Sequence, residues 1–166
     1  MDVFQFAMKM EQDGRAFYEK MAKHTENETV KNILLELAQD EIKHYQIFKQ
    51  FSEGDFSGVE KMKTSSTKVL QTARNVFQKL AKSKVSFSFA SVVKATWKEA
   101  QNIENKSEDF YRSKATEEKN ADIKKTLTLI ADEEHKHWTL IEHVLQFLDR
   151  PKQWLEDAEW NHLDQY

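Results

Sequence analysis

The sequence predicts an all-α protein, a four-helix bundle that consists of two repeated helical hairpins. The chain of 166 residues has only three glycines and one proline, so few residues would interrupt a helix. Apolar residues recur at alternating steps of three and four along four long stretches, which keeps them on one face of a helix. The two halves of the chain also resemble each other at a constant offset, because residue 11 corresponds to residue 104 and residue 41 to residue 134.

Residues 1–51 are expected to form the first hairpin. The apolar face of its first helix contains Phe4, Met8, Glu11, Gly14 and Tyr18. The corresponding face of its second helix contains Val30, Leu34, Leu37, Glu41, His44, Phe48 and Phe51. A capping box from Thr25 to Glu28 is predicted to start the second helix. Glutamate and histidine side chains therefore interrupt faces that should lie in the core.

Residues 52–87 are expected to cross from the first hairpin to the second. Two of the three glycines lie between Ser52 and Gly58, where the second helix should end. Apolar residues at helical spacing predict a fifth helix over about residues 66–82. At 1.5 Å per residue this helix would span roughly 25 Å, about the length of the bundle. Such a crossover would let the second hairpin repeat the direction of the first.

Residues 88–148 are expected to form the second hairpin, with Asn120 capping its second helix. The apolar face of its first helix contains Val93, Trp97, Ala100, Glu104, Ser107 and Tyr111. The corresponding face of its second helix contains Leu127, Ile130, Glu134, His137, Ile141, Val144 and Leu148. In the C-terminal extension, residues 149–166, Pro151 is predicted to open a short helix. All these elements are assigned to a single domain over residues 1–166.

Composition excludes several classes of function. The net charge of −3 and the pI near 6.1 give no electrostatic basis for binding nucleic acid. The absence of cysteine excludes disulfides, thiolate metal sites and thiol catalysis within these residues. No apolar run approaches the roughly 20 residues of a membrane span, and the N-terminal residues lack the pattern of a signal peptide. We therefore expect a cytoplasmic protein that does not enter a membrane.

The element Glu-x-x-His occurs twice, at equivalent positions of the repeat. An i, i+3 pair presents both side chains on one helical face, so both can reach the same ion. One further glutamate lies on the first helix of each hairpin, again at equivalent positions. The predicted metal ligands are Glu11, Glu41, His44, Glu104, Glu134 and His137.

The charge of this set predicts two metal ions. Four ionised glutamates in a core cost free energy unless cations neutralise them. Two divalent cations would supply the four positive charges that are needed, and carboxylates can bridge two metals. A mixture of carboxylate and imidazole ligands favours iron or manganese over a structural zinc site. We expect two iron ions, with manganese as the alternative.

A third Glu-x-x-His, from Glu159 to His162, shows how weak a single copy of the motif is. It lies in the C-terminal extension, belongs to no repeat and has no equivalent upstream glutamate. An exposed helix face is the simpler interpretation there. The same interpretation would apply to either repeated copy alone, but it does not fit two copies that both lie on apolar faces.

Four polar neighbours of the predicted ligands each allow two interpretations. Tyr18 and Tyr111 could hydrogen-bond a ligand carboxylate or relay an electron, or they could be ordinary core aromatics. Asp40 and Glu133 lie four residues before the two histidines, where an acid can accept an imidazole N–H, or they could be exposed.

Gly14 and Ser107 occupy equivalent positions, each three residues after a predicted glutamate ligand. A glycine inside a helix weakens that helix. Gly14 could therefore leave room for metals or for a small oxidant, or it could permit close packing of helices.

From Phe4 to Leu148 the chain resembles the ferritin-like superfamily and, within it, the diiron domain of the rubrerythrin family. The resemblance implies that Glu41 and Glu134 bridge two irons. It also implies four terminal ligands: Glu11, Glu104, His44 and His137. Rubrerythrin-like proteins reduce hydrogen peroxide at a diferrous centre, and some relatives react with dioxygen or oxidise iron. Family members commonly pair, so a homodimer is expected.

The chain departs from the rubrerythrin pattern in two respects. Rubrerythrin has an additional glutamate ligand where this chain has Ser107, and Glu108 is one residue out of register. Serine provides no carboxylate for the redox-dependent exchange of that ligand. This departure weakens the prediction of peroxidase activity. The cysteine-ligated rubredoxin domain is also absent from these residues. A separate rubredoxin-like protein or flavoprotein is thus expected to supply electrons.

Three functions follow as alternatives. The first is a rubrerythrin-type oxidoreductase that reduces hydrogen peroxide or dioxygen. The second is an iron-binding or ferroxidase protein that handles iron itself. The third is a helical interaction module whose acids are solvated and bind no metal.

Overall fold

A computed structural model describes residues 2–56, 70–75 and 91–149 of the chain. The long helices are α1 (Val3–Lys23), α2 (Glu28–Ser52), α3 (Ser91–Glu117) and α4 (Ala121–Asp149). Residues 70–75 are also helical, and no strand occurs in the described ranges. The prediction of an all-α helical bundle is confirmed.

The four helices form two hairpins. Only residues 24–27 separate α1 from α2, and only residues 118–120 separate α3 from α4. Links this short make successive helices antiparallel neighbours. Accordingly, α1 packs along α2 and α3 packs along α4. At the far end of the first hairpin, α2 ends at Ser52, and Gly54 adopts a φ of 82°, which lets the chain turn away from the helix.

Equivalent asparagines start the second helix of each hairpin. Asn27 Oδ1 accepts a hydrogen bond from the backbone N–H of Val30 at 3.1 Å. Asn120 Oδ1 accepts from the N–H groups of Asp122 at 2.9 Å and Ile123 at 3.3 Å. Each bond satisfies a backbone donor that has no partner within the helix. The prediction for Asn120 is confirmed, and the repeat extends to its caps.

The predicted capping box at Thr25 is wrong. The Thr25 hydroxyl donates instead to the carbonyl of Met21 at 2.8 Å, one turn back along α1. Glu28 pairs with Lys31 at 3.3 Å, which is an exposed contact along α2. Asn27 starts the helix because it lies immediately before the first helical residue.

Two apolar layers fill the bundle, one towards each end. The first layer contains Tyr18, Met21, Ala22, Ile33, Leu34, Leu37, Ala38, Leu70, Ala73, Trp97, Ala100, Leu140, Ile141, Val144, Leu145 and Phe147. The second contains Ala7, Ile47, Phe48, Phe51, Tyr111, Ala115, Ile123, Leu127, Ile130 and Ala131. All four helices contribute to each layer, and the predicted ligands lie at intermediate positions along those helices.

Most residues of the apolar faces predicted from the sequence are buried. Four residues towards helix ends are partly buried against the two layers: Phe4, Met8, Val30 and Leu148. Val93, near the start of α3, is 38% exposed. Val93 lies one turn before the buried Trp97 and on the same face of α3, so its spacing is correct. The described residues do not bury this first turn of the helix.

Only part of the predicted crossover can be compared with the structure. Leu70 and Ala73 are buried against the first apolar layer, in agreement with a crossover helix that packs on the bundle. The remainder of the predicted helix over residues 66–82 lies outside the described residues. So does the C-terminal extension after Asp149, including Glu159 and His162. Within the described helices, no stretch has the length and apolar character that crossing a membrane requires.

Candidate metal centre

The structure brings all six predicted ligands together in the bundle interior. Every one is at least 95% buried: Glu11, Glu41, His44, Glu104, Glu134 and His137. Their ligand atoms form two overlapping groups, and the atoms of each group lie within 4.8 Å of one another. One group takes Glu11 from α1 with His44 from α2. The other takes Glu104 from α3 with His137 from α4. Glu41 and Glu134 belong to both groups, as expected of two bridging carboxylates.

Five buried atoms of this cluster have no hydrogen-bond partner among the described residues. They are Glu11 Oε2, His44 Nδ1, Glu104 Oε2, Glu134 Oε1 and His137 Nδ1. His44 Nδ1 lies 3.1 Å from Glu134 Oε1 and 3.3 Å from Glu11 Oε2, without the geometry of a hydrogen bond. A buried polar atom without a partner costs about 1–3 kcal/mol. Five such oxygen and nitrogen atoms converging on one region fit the coordination of divalent cations.

The outer nitrogen of each imidazole is bound by an acid from the other hairpin. His44 Nε2 lies 2.7 Å from Glu133 Oε2, and His137 Nε2 lies 3.3 Å from Asp40 Oδ2. When each imidazole is neutral and keeps its proton on Nε2, the lone pair of its Nδ1 faces the centre of the cluster. The sequence spacing had placed each acid beside the histidine of its own helix. That pairing is wrong, because both contacts cross between α2 and α4.

Asp40 also forms an ion pair with a partly exposed lysine, a contact that the sequence analysis did not predict. Lys43, one turn further along α2, places its Nζ 2.5 Å from Asp40 Oδ1. Burial alone would raise the pKa of Asp40, but His137 and Lys43 outweigh burial and lower it. Asp40 therefore remains an anion that can hold the imidazole of His137. Its i, i+3 spacing to Lys43 was the available sequence signal.

Replacing Asp40 with asparagine is expected to weaken metal binding about 10- to 100-fold, as loss of an outer partner of a ligand histidine typically does. The amide oxygen of asparagine can still accept a hydrogen bond from His137 Nε2. Because the amide is neutral, it favours this proton position less, and Nδ1 is less readily available to a metal. Competition with a chelator of known affinity measures the change. Asp13→Asn, at an exposed site on α1, is the matched control. Equal affinities for the two variants would contradict the assigned role.

The two tyrosines hydrogen-bond the glutamates of α1 and α3. The Tyr18 hydroxyl donates to Glu104 Oε1, and the Tyr111 hydroxyl donates to Glu11 Oε1. Both rings are fully buried. Burial and the negative charge of Glu11 raise the pKa of Tyr111 well above its ordinary value, so its proton is retained. Of the two sequence interpretations, the structure favours the hydrogen bond, and electron relay stays a prediction.

These contacts give the site an approximate two-fold symmetry. The hydrogen bond from Tyr18 on α1 to Glu104 on α3 is repeated by the bond from Tyr111 on α3 to Glu11 on α1. The two histidine–acid contacts between α2 and α4 are related to each other in the same way. Each hairpin thus supplies three predicted ligands, one tyrosine and one outer acid. The site forms only where the two hairpins meet.

Protons partly compensate the charge of the cluster in the metal-free protein. Burial, followed by the negative charge of Glu134, raises the pKa of both Glu41 and Glu104 well above the ordinary value. Glu134 behaves oppositely. Burial alone would raise the pKa of Glu134, but close contact with His137 and His44 lowers it. The two predicted bridging glutamates therefore differ, because the pKa of Glu134 is lowered and the pKa of Glu41 is raised.

The histidines carry the compensating positive charge. Burial alone would lower the pKa of His44, but the charge of Glu11 outweighs burial and raises it well above 6.5. The pKa of His137 is raised in the same way, chiefly by Glu104. Metal ions would have to displace these protons, so binding should release protons and weaken as the pH falls.

The metal-free protein is expected to lose stability as the pH rises above 4.5, the ordinary pKa of the glutamates, and further as it rises above 6.5, that of the histidines. Glu41, Glu104, His44 and His137 all have folded-state pKa values above their ordinary values of 4.5 and 6.5. The folded chain therefore holds protons that the unfolded chain releases. For each such proton, the free energy of unfolding falls by about 1.4 kcal/mol per pH unit. The lowered pKa values of Glu134 and Asp40 act in the opposite direction, but only below their ordinary values.

Denaturant unfolding of the chelator-treated protein at a series of pH values tests this expectation. The metal-loaded protein is the control, because binding that displaces protons should become tighter as the pH rises. A free energy of unfolding that increases with pH in the metal-free protein would contradict the assigned protonation.

The acid next to Ser107 lies outside the cluster. Glu108 accepts from Arg112 Nε at 2.7 Å and lies 3.0 Å from His135 Nδ1 at the surface. His135 is exposed and stacks on the partly exposed Trp138. These contacts hold Glu108 away from the buried ligands, and Ser107 contributes no carboxylate.

Comparison with known proteins agrees with this geometry. The family model described as Rubrerythrin matches residues 2–145, which include all four helices up to the last turn of α4. Neither the curated proteins nor the solved structures contain a significant match to the chain.

Proposed function

Because this chain belongs to the rubrerythrin family, we propose that it is a non-haem diiron carboxylate oxidoreductase that reduces hydrogen peroxide or dioxygen. Proteins of this family hold a non-haem metal centre, typically of iron. One observation carries the proposal: six buried carboxylate and imidazole groups converge, and five of their atoms have no partner among the described residues. A bundle that served only as an interaction module would have no reason to bury these acids.

Two ferrous ions held by these residues would supply one electron each, which matches the two electrons needed to cleave the O–O bond of hydrogen peroxide. Reduction of hydrogen peroxide consumes two electrons and two protons and yields two waters. Glu41 and Glu134 are positioned to contact both ions, since they belong to both ligand groups. Manganese fits the same ligand set as the alternative metal.

The protein's own residues orient the ligands and limit access of water. The hydroxyls of Tyr18 and Tyr111 each bind one oxygen of a terminal carboxylate, which leaves the other oxygen free for a metal. Glu133 and Asp40 hold the imidazoles in the required tautomer. The apolar layers on both sides lower the local dielectric, which strengthens every charge interaction within the site.

A separate protein is proposed to return the electrons. The 166 residues contain no cysteine, so they hold no iron–sulfur site that could serve as an internal donor. A rubredoxin-like protein or a flavoprotein has the required chemistry. We also propose a homodimer, as inferred from the family resemblance, and a cytoplasmic location, as expected from the sequence.

Anaerobic mixing of the diferrous protein with hydrogen peroxide or with dioxygen tests the oxidoreductase. The proposal predicts oxidation of two ferrous ions per peroxide within one turnover, followed by repeated turnover when a reductant is present. Glu11→Gln is expected to impair the reaction, whereas Glu19→Gln, at an exposed position on the same helix, is not. Ferrous protein that binds its iron but does not react with either oxidant would overturn the proposal.

A ferroxidase that handles iron itself is the second candidate. It is favoured by the presence of Ser107 where rubrerythrin has an additional carboxylate and by the retention of Glu108 in a surface ion pair. Without that carboxylate the two halves of the site offer matching ligand sets. Net accumulation of ferric iron beyond two ions per chain would favour this candidate, and catalytic peroxide consumption would favour the first.

A further inference from the structure

Gly14 lies buried in the middle of α1, directly against the carboxylate of Glu41. A methyl group placed on Gly14 would lie 3.3 Å from both Cδ and Oε2 of Glu41, and 3.6 Å from its Oε1. The two shorter distances are closer than ordinary van der Waals contact. The group nearest to Gly14 is therefore a carboxylate of the site itself. This carboxylate lies where a gap for an oxidant or the backbone of another helix would otherwise be expected.

A glycine at this position opposes the formation of α1. Glycine is among the poorest helix formers because it loses the most backbone freedom on folding. Its φ is not in the left-handed region that requires glycine, because the only positive-φ glycine in the described chain is Gly54. Alanine would thus improve the helix, and the three nearest atoms that it would meet all belong to the Glu41 carboxylate.

We propose that Gly14 is a positioning residue that fixes where the carboxylate of Glu41 lies between the two metal-binding groups. The proposal rests on the proposed metal site. Glu41 is one of two residues common to both groups, so a displacement of its carboxylate alters the ligands of both ions at once. The absence of a side chain on α1 lets this carboxylate lie directly against the α1 backbone.

The repeat-equivalent position is not a glycine. Position 107 on α3 is serine, so a Cβ is present at the position that corresponds to Gly14. In the half of the site that contains Glu134, the counterpart of Glu41, the residue equivalent to Gly14 therefore has a side chain. The two bridging carboxylates thus differ in their surroundings although their helices are related by the repeat.

This geometry predicts opposite effects on two measurable properties. A Cβ on Gly14 would crowd the terminal atoms of the Glu41 side chain, which must shift by a few tenths of an ångström. Without metal ions no ligand bond holds these atoms, so we expect Gly14→Ala to stabilise the fold through α1. In the loaded protein both oxygens of Glu41 would be held by metal ions and could not move in this way. The same substitution should then weaken metal binding.

The test compares Gly14→Ala with Ser107→Ala in the full chain, using Mn(II) as the probe. Gly14→Ala is expected to raise the melting temperature of the metal-free protein by about 1–4 °C. It should lower Mn(II) affinity about 10-fold or more and change the exchange coupling in the electron paramagnetic resonance spectrum of the dimanganese form. Ser107→Ala leaves a Cβ in place and should change neither the affinity nor the spectrum.

The outcomes separate this inference from the proposed function. Wild-type protein that binds no metal would overturn both. Wild-type and Gly14→Ala proteins that bind two ions with equal affinity and identical spectra would overturn the positioning role alone. A Gly14→Ala protein that fails to fold, or melts at a lower temperature without metal, would also overturn it, because Gly14 would then serve helix packing.

Discussion

Glu41→Gln and Glu134→Gln are each expected to abolish the binding of both metal ions. Each of these glutamates lies within 4.8 Å of the other ligand atoms in both groups, so its loss removes a ligand from both ions. Glutamine has nearly the same shape but is a neutral and much weaker ligand. Loss of one negative charge also leaves two dications incompletely neutralised in a buried site.

Metal content after anaerobic reconstitution and removal of free iron measures this effect. Glu36→Gln, one turn before Asp40 on α2 and only partly buried, is the matched control and should retain wild-type content. Two ions per chain in either bridging variant would show that the shared carboxylates have been assigned incorrectly.

The same two variants are expected to differ sharply in the stability of the metal-free protein. Burial and the charge of Glu134 raise the pKa of Glu41 and favour its neutral form, so neutral glutamine should leave stability unchanged or increase it. Glu134 has a lowered pKa and forms close ion pairs with two buried histidines. Removing one partner of a buried ion pair typically costs about 3–5 kcal/mol.

Denaturant unfolding near pH 7 with a strong chelator distinguishes the two variants. The expected order of stability is Glu41→Gln at or above wild type, with Glu134→Gln several kcal/mol below it. Equal destabilisation by both substitutions would contradict the opposite pKa shifts of the two predicted bridging glutamates.

The helices and the grouping of ligands could be predicted because both depend on spacing within one helix. Apolar residues at steps of three and four identify the buried face, and that face includes Glu41 and Glu134. The repeat then relates one hairpin to the other, so the recognition of one ligand set predicts the second. Burial of the acids followed from their register on the apolar face.

Contacts between helices could not be predicted in the same way. Asp40 and His44 are neighbours by sequence spacing, but Asp40 contacts His137 because the packing of α2 on α4 brings the two turns together. Sequence spacing reports distances along a helix and contains no direct information about rotation or offset between helices. For the same reason, the contact between Gly14 on α1 and Glu41 on α2 could not be predicted from spacing.

Local competition between side chains explains the incorrect start of α2. Thr25 and Asn27 both precede the helix and both can cap it. Thr25 instead donates to the last turn of α1, a contact available only because the interhelical link is short. The capping role then belongs to Asn27, whose counterpart Asn120 has the same role in the second hairpin.

The most direct measurement is an anaerobic titration of the full chain with ferrous iron, followed by calorimetry and by analysis of bound iron after gel filtration. Six converging ligands from four helices predict saturation at two ions per chain, with release of protons as the ions bind. Saturation at one ion, or a chain that remains free of iron and manganese after careful reconstitution, would contradict a dimetal centre at the meeting of the two hairpins.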